Sequence, residues 1–475
     1  MTPNLRPYPE YKDSALPWFD RIPAHWEEKR AKYYFREVDE RSRTGEEQLM
    51  SVSHVTGVTP RKANVTMFKA ESNVGHKICR PGDLVINTMW AWMGAMGVAR
   101  QTGLVSPSYG VYHPRNPSAY APDYIDHLLR TQPYASEYLC RSTGIRASRL
   151  RLYPDDFLDI RIVCPSRAEQ ETMVRFMDYH DRLIRRFIRN RRRLIEVLNE
   201  QKHAIINRAV TRGLDPRVRL KPSGIDWLGD IPEHWEIKAL KRWVSINELV
   251  LPESTDPDYT FDYLDIGCVG TGILVEESSR IRFGDAPSRA RRILRTGDTI
   301  ISTVRTYLRA VYFVPENADN LVASTGFAVL TPGPGIVPEF LGIALQSDPF
   351  IDRVTAHSIG IAYPAIAETR LGALPVAMPP SVEEQAGIVA EVRRETGALL
   401  KAITRARREI DLIREYRTRL IADVVTGKLD VRHLAPVLVD ERAEAEPEDL
   451  DAGIDDEMPQ GDERELVEEA ADADD

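Results

Sequence analysis

The chain has 475 residues, too many for a single core, and its 43% hydrophobic content is that of a folded protein of two to four domains. No stretch reaches the roughly 18 apolar residues of a membrane helix, the opening MTPNLRPYPEYKD has no apolar signal core, and the four cysteines, Cys79, Cys140, Cys164 and Cys268, form no CxxC pair. The composition therefore predicts a cytoplasmic protein with neither a disulfide framework nor a zinc site, its cysteines serving as small buried hydrophobes. The net charge of -9 hides an asymmetry: residues 439–475 carry 18 acids against two arginines, which leaves residues 1–438 at about +7. With few apolar residues and no aromatic, that acidic tail is expected to be disordered, read as a solubilising appendage with an interaction tail or a mimic of nucleic-acid charge as the alternatives.

The first landmark in chain order is Trp18, followed by Ile22-Pro23-Ala24-His25-Trp26-Glu27 and a basic, aromatic run to Phe35. Residues 27–165 read as mixed α/β with short strands, among them residues 83–87 (DLVIN) after a Gly82-Asp83 turn and a further one starting at Leu104-Val105. At Cys164-Pro165-Ser166 the proline ends a strand, the serine is placed to cap a helix, and Glu169 stands three residues on as in a capping box. A helix is predicted within residues 169–215, with Gly213 as its C-cap.

The whole pattern then returns. Adding 209 to the first landmark gives Trp227 and Ile231-Pro232-Glu233-His234-Trp235-Glu236, with Lys29 and Lys32 matching Lys238 and Lys241. Adding 215 to the helix gives residues 384–430 without a gap, from Glu384-Gln385 after Pro379-Pro380-Ser381 to Gly427 and Leu429-Asp430. Between these landmarks lie the matching strands at residues 298–304 and from Leu321-Val322. A period of about 210 is the size of a domain with its helix rather than of a solenoid repeat, so the sequence predicts a tandem duplication. Only the frame is kept. After the Gly-Asp turn the first copy reads Met89-Trp90-Ala91-Trp92 and the second Arg305-Thr306-Tyr307-Leu308-Arg309, a divergence that suggests two sites recognising different things.

Stepping by four and three through each helix gives an apolar seam. The first consists of Ile184, Ile188, Ile195, Leu198, Ile205 and Ala209 with Arg191 and Lys202 interrupting; the second of Leu399, Ile403, Ala406, Ile410, Ile413, Leu420 and Val424 with Arg417 interrupting. Lys202 and Arg417 fall at equivalent places, as a register-setting device would require. Two helices of matched register in one chain are expected to pack on each other.

Chemistry is harder to find. The sequence holds no phosphate loop, HExxH, GxSxG or methyltransferase signature, and its histidines fall into no ligand spacing, so no catalytic residue and no metal site is assigned. His25 and His234 repeat, but lie between proline and tryptophan with no nearby partner carboxylate common to both copies, and are read as structural. The remaining candidates are cationic and aromatic: Arg61, Lys62, Arg146, Arg149, Arg289, Arg291, Arg292, Arg305, Tyr307 and Arg309, placed to neutralise phosphates or reach base edges.

Taken together, the duplicated IPxHW motif (Ile22 to Trp26, Ile231 to Trp235), the PSxxEQ helix start (Pro165 to Gln170, Pro380 to Gln385) and the helix end (Val210 to Asp215, Val425 to Asp430) resemble the specificity subunits of type I restriction-modification enzymes. The acidic tail departs from that pattern. The resemblance implies an α/β (α+β) fold with two target recognition domains, residues 1–165 and 216–380. Two conserved helices, residues 166–215 and 381–435, would pack as an antiparallel coiled coil with pseudo-twofold symmetry, ahead of the tail at 436–475. Double-stranded DNA with a split target would be the ligand. Two methylation subunits carrying AdoMet and motor or restriction subunits using ATP and Mg would be the partners, with no cofactor in this chain and no membrane contact. The residues alone leave two alternatives open: a self-contained methyltransferase or nuclease with an unrecognised site, and an adaptor that binds protein rather than DNA.

Overall fold

The computed structural model describes residues 5–61, 72–144, 150–315, 320–360 and 364–434, and the acidic tail lies outside them. The chain divides into two compact units, one made of Met1–Asn190 with Glu409–Asp475 and the other of Arg191–Arg408. Two helices dominate the secondary structure, Arg167–Arg212 with 46 residues and Val382–Val425 with 44. Neither unit owns a whole helix: the first holds the start of the first helix and the end of the second, and the other unit holds the remainder of both.

In the first unit, a hairpin pairs Tyr11–Asp13 with Arg21–Pro23, and the strand Glu27–Arg30 pairs with Arg161–Cys164 just before the first long helix. Next comes a four-stranded antiparallel sheet in the order Phe35–Glu37, Gly110–Pro114, Leu84–Ile86, Met96–Val98. Three short helices, Pro122–Leu129, Gln132–Arg141 and Pro154–Asp159, each carry proline in the first turn, where a missing N–H costs nothing. They enclose an aromatic core of Trp26, Phe35, Tyr112, Tyr124, Tyr134 and Phe157, completed by Phe176 of the first long helix and by Leu420, Val424 and Val425 of the second.

The second unit repeats this order of elements. Leu220–Pro222 pairs with Asp230–Pro232, and Glu236–Ala239 pairs with Pro375–Met378 ahead of the second long helix. Its first sheet runs Val244–Ile246, Phe327–Pro332, Thr299–Ser302, Val311–Phe313, strand for strand the order found in the first unit. Pro338–Ala344, Asp348–Ala356 and Glu368–Ala373 supply the three short helices. The units differ in what is added: the second carries a further four-stranded sheet, Ser279–Arg282, Thr260–Leu264, Leu321–Ser324, Ala290–Ile293, in which Thr260–Leu264 and Leu321–Ser324 run parallel. In that place the described residues of the first unit form the hairpin Met50–Ser53 with Gly57–Pro60 and the pair Lys77–Cys79 with Gly103–Val105. The fold is mixed helix and strand, and among the described residues its sheets are almost wholly antiparallel and none is closed into a barrel.

The Gly-Asp turns are built alike. Gly82 and Gly297 take φ of +92° and +90°, and the Asp83 and Asp298 carboxylates accept from the backbone N–H three residues before, at 2.8 and 2.7 Å. Gly213 and Gly427 close the long helices at φ of +69° and +81°, the left-handed cap that only glycine adopts without strain. Cys79, Cys164 and Cys268 are buried, as expected of small hydrophobes, whereas Cys140, in the last turn of Gln132–Arg141, is exposed.

Candidate nucleic-acid interface

The repeated sequence motifs meet at one knot in each unit. Ser166 and Ser381 cap their helices through the Glu169 and Glu384 amides, at 3.4 and 3.2 Å. The glutamate carboxylates turn to the IPxHW motif instead of closing a capping box. Glu169 accepts from the Trp26 indole at 3.1 Å and bonds His25 Nε2 at 2.9 Å; Glu384 does the same with Trp235 at 2.9 Å and His234 at 2.8 Å. This corrects the sequence expectation that the two histidines share no partner carboxylate. The partner was the helix-start glutamate, distant in sequence but common to both copies.

Both neighbouring glutamines fasten the same knot. Gln170 accepts from Ala121 N–H and donates to Pro165 O, and Gln385 accepts from Val337 N–H and donates to Pro379 O, with bonds of 2.7 and 2.9 Å in each case. The first unit has an additional member: buried Tyr8 donates its hydroxyl to Glu169 at 2.7 Å, and Asp430 N–H bonds Arg6 O at 2.7 Å, so the chain's opening residues sit against the end of its second long helix. The motifs that repeat most faithfully are thus structural joints.

The cationic and aromatic candidates lie in the parts where the copies diverge. In the second unit, Thr325 N–H donates to Arg289 O, Thr303 donates its N–H and hydroxyl to Gly326 O, Arg305 N–H donates to Pro364 O, and Arg292 pairs with Glu368 at 2.6 Å. These bonds gather Arg289, Arg292, Arg305 and Tyr307 around one turn and one neighbouring segment. Their availability differs. Arg289 is exposed with Asp265 at 3.0 Å, and Tyr307 is 54% exposed, whereas Arg292 is mostly covered by its pair with Glu368. Arg291 lies over the Phe283 ring at 4.6 Å. Arg309 bonds the Asp348 carboxylate, which also takes the Asn207 amide, so this arginine ties the loop to the first long helix. In the first unit Arg61 is half-buried, and Lys62, Arg146 and Arg149 lie outside the described residues.

Arg305 and Arg309 flank the short helix Thr306–Leu308 and both adopt left-handed backbone, φ of +50° and +56°. Each such residue costs on the order of 1 kcal/mol, which persists only where surrounding bonds over-determine it. The side chains of this segment single it out in the sequence, but nothing in the sequence signals its left-handed backbone.

The eleven large apolar seam positions are buried or half-buried: Ile184, Ile188, Ile195, Leu198 and Ile205 on the first helix, and Leu399, Ile403, Ile410, Ile413, Leu420 and Val424 on the second. The two cations at equivalent seam places have unlike partners. Arg417 bonds Asp181 at 2.5 Å within the first unit, while Lys202, buried in the second, reaches Thr271 O at 3.4 Å, and burial followed by the charge of Arg407 pushes its ammonium below the usual lysine range. Among the described residues no group of three or more His, Cys, Asp or Glu is placed to hold a metal, and no helix is long and apolar enough to cross a membrane.

No family model matches the sequence. It is 25% identical over 285 residues to the type I restriction enzyme MjaVIII specificity subunit of Methanocaldococcus jannaschii, a match covering 58% of this chain and 64% of that relative. It is 31% identical over 104 residues to the HindI specificity subunit of Haemophilus influenzae, covering 21% of this chain and 23% of the relative. The matches thus span less than two thirds of either relative's length. Among solved structures, a chain from work on complex assembly and conformational transition of the type I restriction-modification system aligns with a TM-score of 0.55 at 16% identity, covering 86% of this chain and 99% of that one. The curated relatives are specificity subunits, and the fold is shared with that neighbour.

Proposed function

We propose that this chain is the DNA sequence-recognition subunit of a type I restriction-modification complex. It binds a bipartite, asymmetric target and is itself without catalytic activity. One observation carries the reading: the same sheet order and the same Glu-His-Trp knot occur twice, around surfaces with different side chains. Two unlike readers on one repeated frame are what a split asymmetric target requires. A tandem duplication accounts for that frame.

The two long helices form an antiparallel coiled coil in this reading. Support comes from each unit by itself. Early residues of the first helix, Met173 and Phe176, share a core with the late Leu420 and Val424 of the second, whereas the late Ile206 and Val210 share one with the early Ile388 and Val392. Methylation subunits, two of them, dock on the helices. The first unit leaves Leu183, Leu412 and Tyr416 exposed there and the second leaves Leu194, Val197 and Leu400, apolar groups that a partner would cover. AdoMet belongs to those partners, and ATP and Mg to the motor subunits that complete the nuclease.

Adding the full chain to methylation subunits, with duplex DNA and labelled AdoMet, tests the proposal. Methylation confined to a split motif, absent with either component alone, is the expected result. Methylation or cleavage by this chain alone would favour a self-contained enzyme, and no DNA preference in the reconstituted complex would favour a protein adaptor.

A further inference from the structure

Two loops occupy the same place in the two units, at residues 88–94 and 303–309, between the third and fourth strands of the matching sheets. Their bases are fastened identically. Thr88 and Thr303 each donate a hydroxyl to a backbone carbonyl, Ser108 O and Gly326 O, at 2.9 Å in both. The carbonyls of the same threonines accept from Leu152 N–H and Ile366 N–H, at 2.9 and 2.8 Å. Each loop then makes one short helical turn, Ala91–Met93 or Thr306–Leu308, and closes it on a left-handed residue, Gly94 or Arg309, whose N–H bonds the carbonyl three residues back.

The tips share none of this sameness. The first presents Met89, 39% exposed, beside half-buried Trp92, whose indole N–H is held by Met89 O at 3.1 Å. The second presents Tyr307 and Leu308, 54% and 47% exposed. In the second loop the left-handed arginines are held in place from outside: Arg305 N–H by Pro364 O, and the Arg309 guanidinium by Asp348 and Asp352. Large apolar side chains on a loop fixed this firmly are not there for the unit's own core.

Resting on the proposed DNA recognition, we infer that these loops are the reading tips, Met89 and Trp92 for one half of the target and Tyr307 and Leu308 for the other. Their chemistry suits duplex DNA read by shape and apolar contact. A methionine, leucine or aromatic ring meets the thymine methyl in the major groove or wedges at a flexible base step, and the Tyr307 hydroxyl can in addition bond a base edge. Charge remains the business of the surrounding arginines, which hold phosphates without reading bases. Matched bases keep the two tips at equivalent stations, so changing a tip changes a preference without rebuilding a domain.

The test uses the full chain reconstituted with methylation subunits, acting on a duplex library with both halves of the preferred site randomised and the products sequenced. Met89→Ala with Trp92→Ala is expected to relax discrimination by about tenfold or more at one or two base pairs of one half only, and Tyr307→Ala with Leu308→Ala to do so in the other half only. Trp92→Tyr and Tyr307→Trp keep an aromatic tip on a folded loop and are expected to shift the preferred base in their own half of the target while the preferences in the other half stay as they were. Base preferences unchanged in all four variants, or altered equally in both halves, would overturn the assignment. If the unaltered complex methylates DNA without base preference, the recognition reading itself has failed; if it keeps a split motif that the variants leave intact, only the loops are misassigned.

Discussion

The sharpest consequence of the knots is an unequal response to the same substitution. Removing Glu169 leaves the Trp26 indole N–H and the Tyr8 hydroxyl without their acceptor inside a core where those residues are 1% and 3% exposed, and also frees His25. A buried donor left unpaired costs about 1–3 kcal/mol, so Glu169→Ala is expected to cost about 3–5 kcal/mol in the first unit. The bonds described for Glu384 are those of Trp235 and His234, and that carboxylate is 28% exposed against 4% for Glu169, so water reaches it. Glu384→Ala is expected to cost about 1–2 kcal/mol, and Glu169→Gln, which keeps one acceptor oxygen, to fall between the two alanine variants. Urea titration of the full chain, with hydrogen exchange reporting each unit separately, measures both. Equal losses in the two alanine variants, or a loss below about 0.5 kcal/mol for Glu169→Ala, would refute the claim that buried donor satisfaction at this joint sets local stability.

Other expectations follow from single positions. A Cβ at Gly427 would lie 2.5 Å from Pro23 Cδ and 2.9 Å from the Trp26 ring on left-handed backbone, whereas at Gly213 its nearest neighbours stand at 3.6 Å; Gly427→Ala is therefore expected to cost about 2–4 kcal/mol and Gly213→Ala about 1 kcal/mol, by the same titration. Because the Lys202 ammonium is disfavoured by burial, its folded pKa is depressed below the unfolded one, so its cost is full at neutral pH and fades as pH rises past the folded pKa towards the ordinary lysine value. Lys202→Met is expected to stabilise the second unit by about 1 kcal/mol at pH 7, with the advantage narrowing at pH 10, and a gap that widens with pH would contradict the sign. Asn207→Leu removes the amide from Asp348 and is expected to loosen the 303–309 loop, read as faster exchange at Arg309 N–H with little change in the first unit.

Much of this was legible in the chain. A gapless repeat of a heptad-bearing segment marked both long helices, because helical register cannot absorb insertions, and glycine at the end of each marked the left-handed caps. The strands after the Gly-Asp turns were readable for the same reason: Gly82 and Gly297 supply a positive φ that other residues resist. The knots were missed although a signal existed. Glu169 lies 144 residues from His25, and the glutamates repeat at an offset of 215 while the histidines repeat at 209, so the pairing is visible only when the two offsets are read together. Arginine identity told least. The sequence offers Arg289, Arg292 and Arg309 as equals, and the fold pairs each with a carboxylate of its own unit, but Arg292 and Arg309 are largely covered while Arg289 stays exposed, a difference set by tertiary neighbours and not by composition. Lys202 and Arg417 likewise share a seam position yet meet a carbonyl in one case and a carboxylate in the other.

The most direct measurement exchanges one of the two proposed readers. Residues 27–165 are replaced by the corresponding segment of a relative with another target, the hybrid is expressed with methylation subunits, and methylated adenines are mapped across the genome. Two different readers on a repeated frame predict a split, asymmetric motif in which one half changes and the other stays as it was. A continuous motif, or a replacement that rewrites both halves at once, would contradict it.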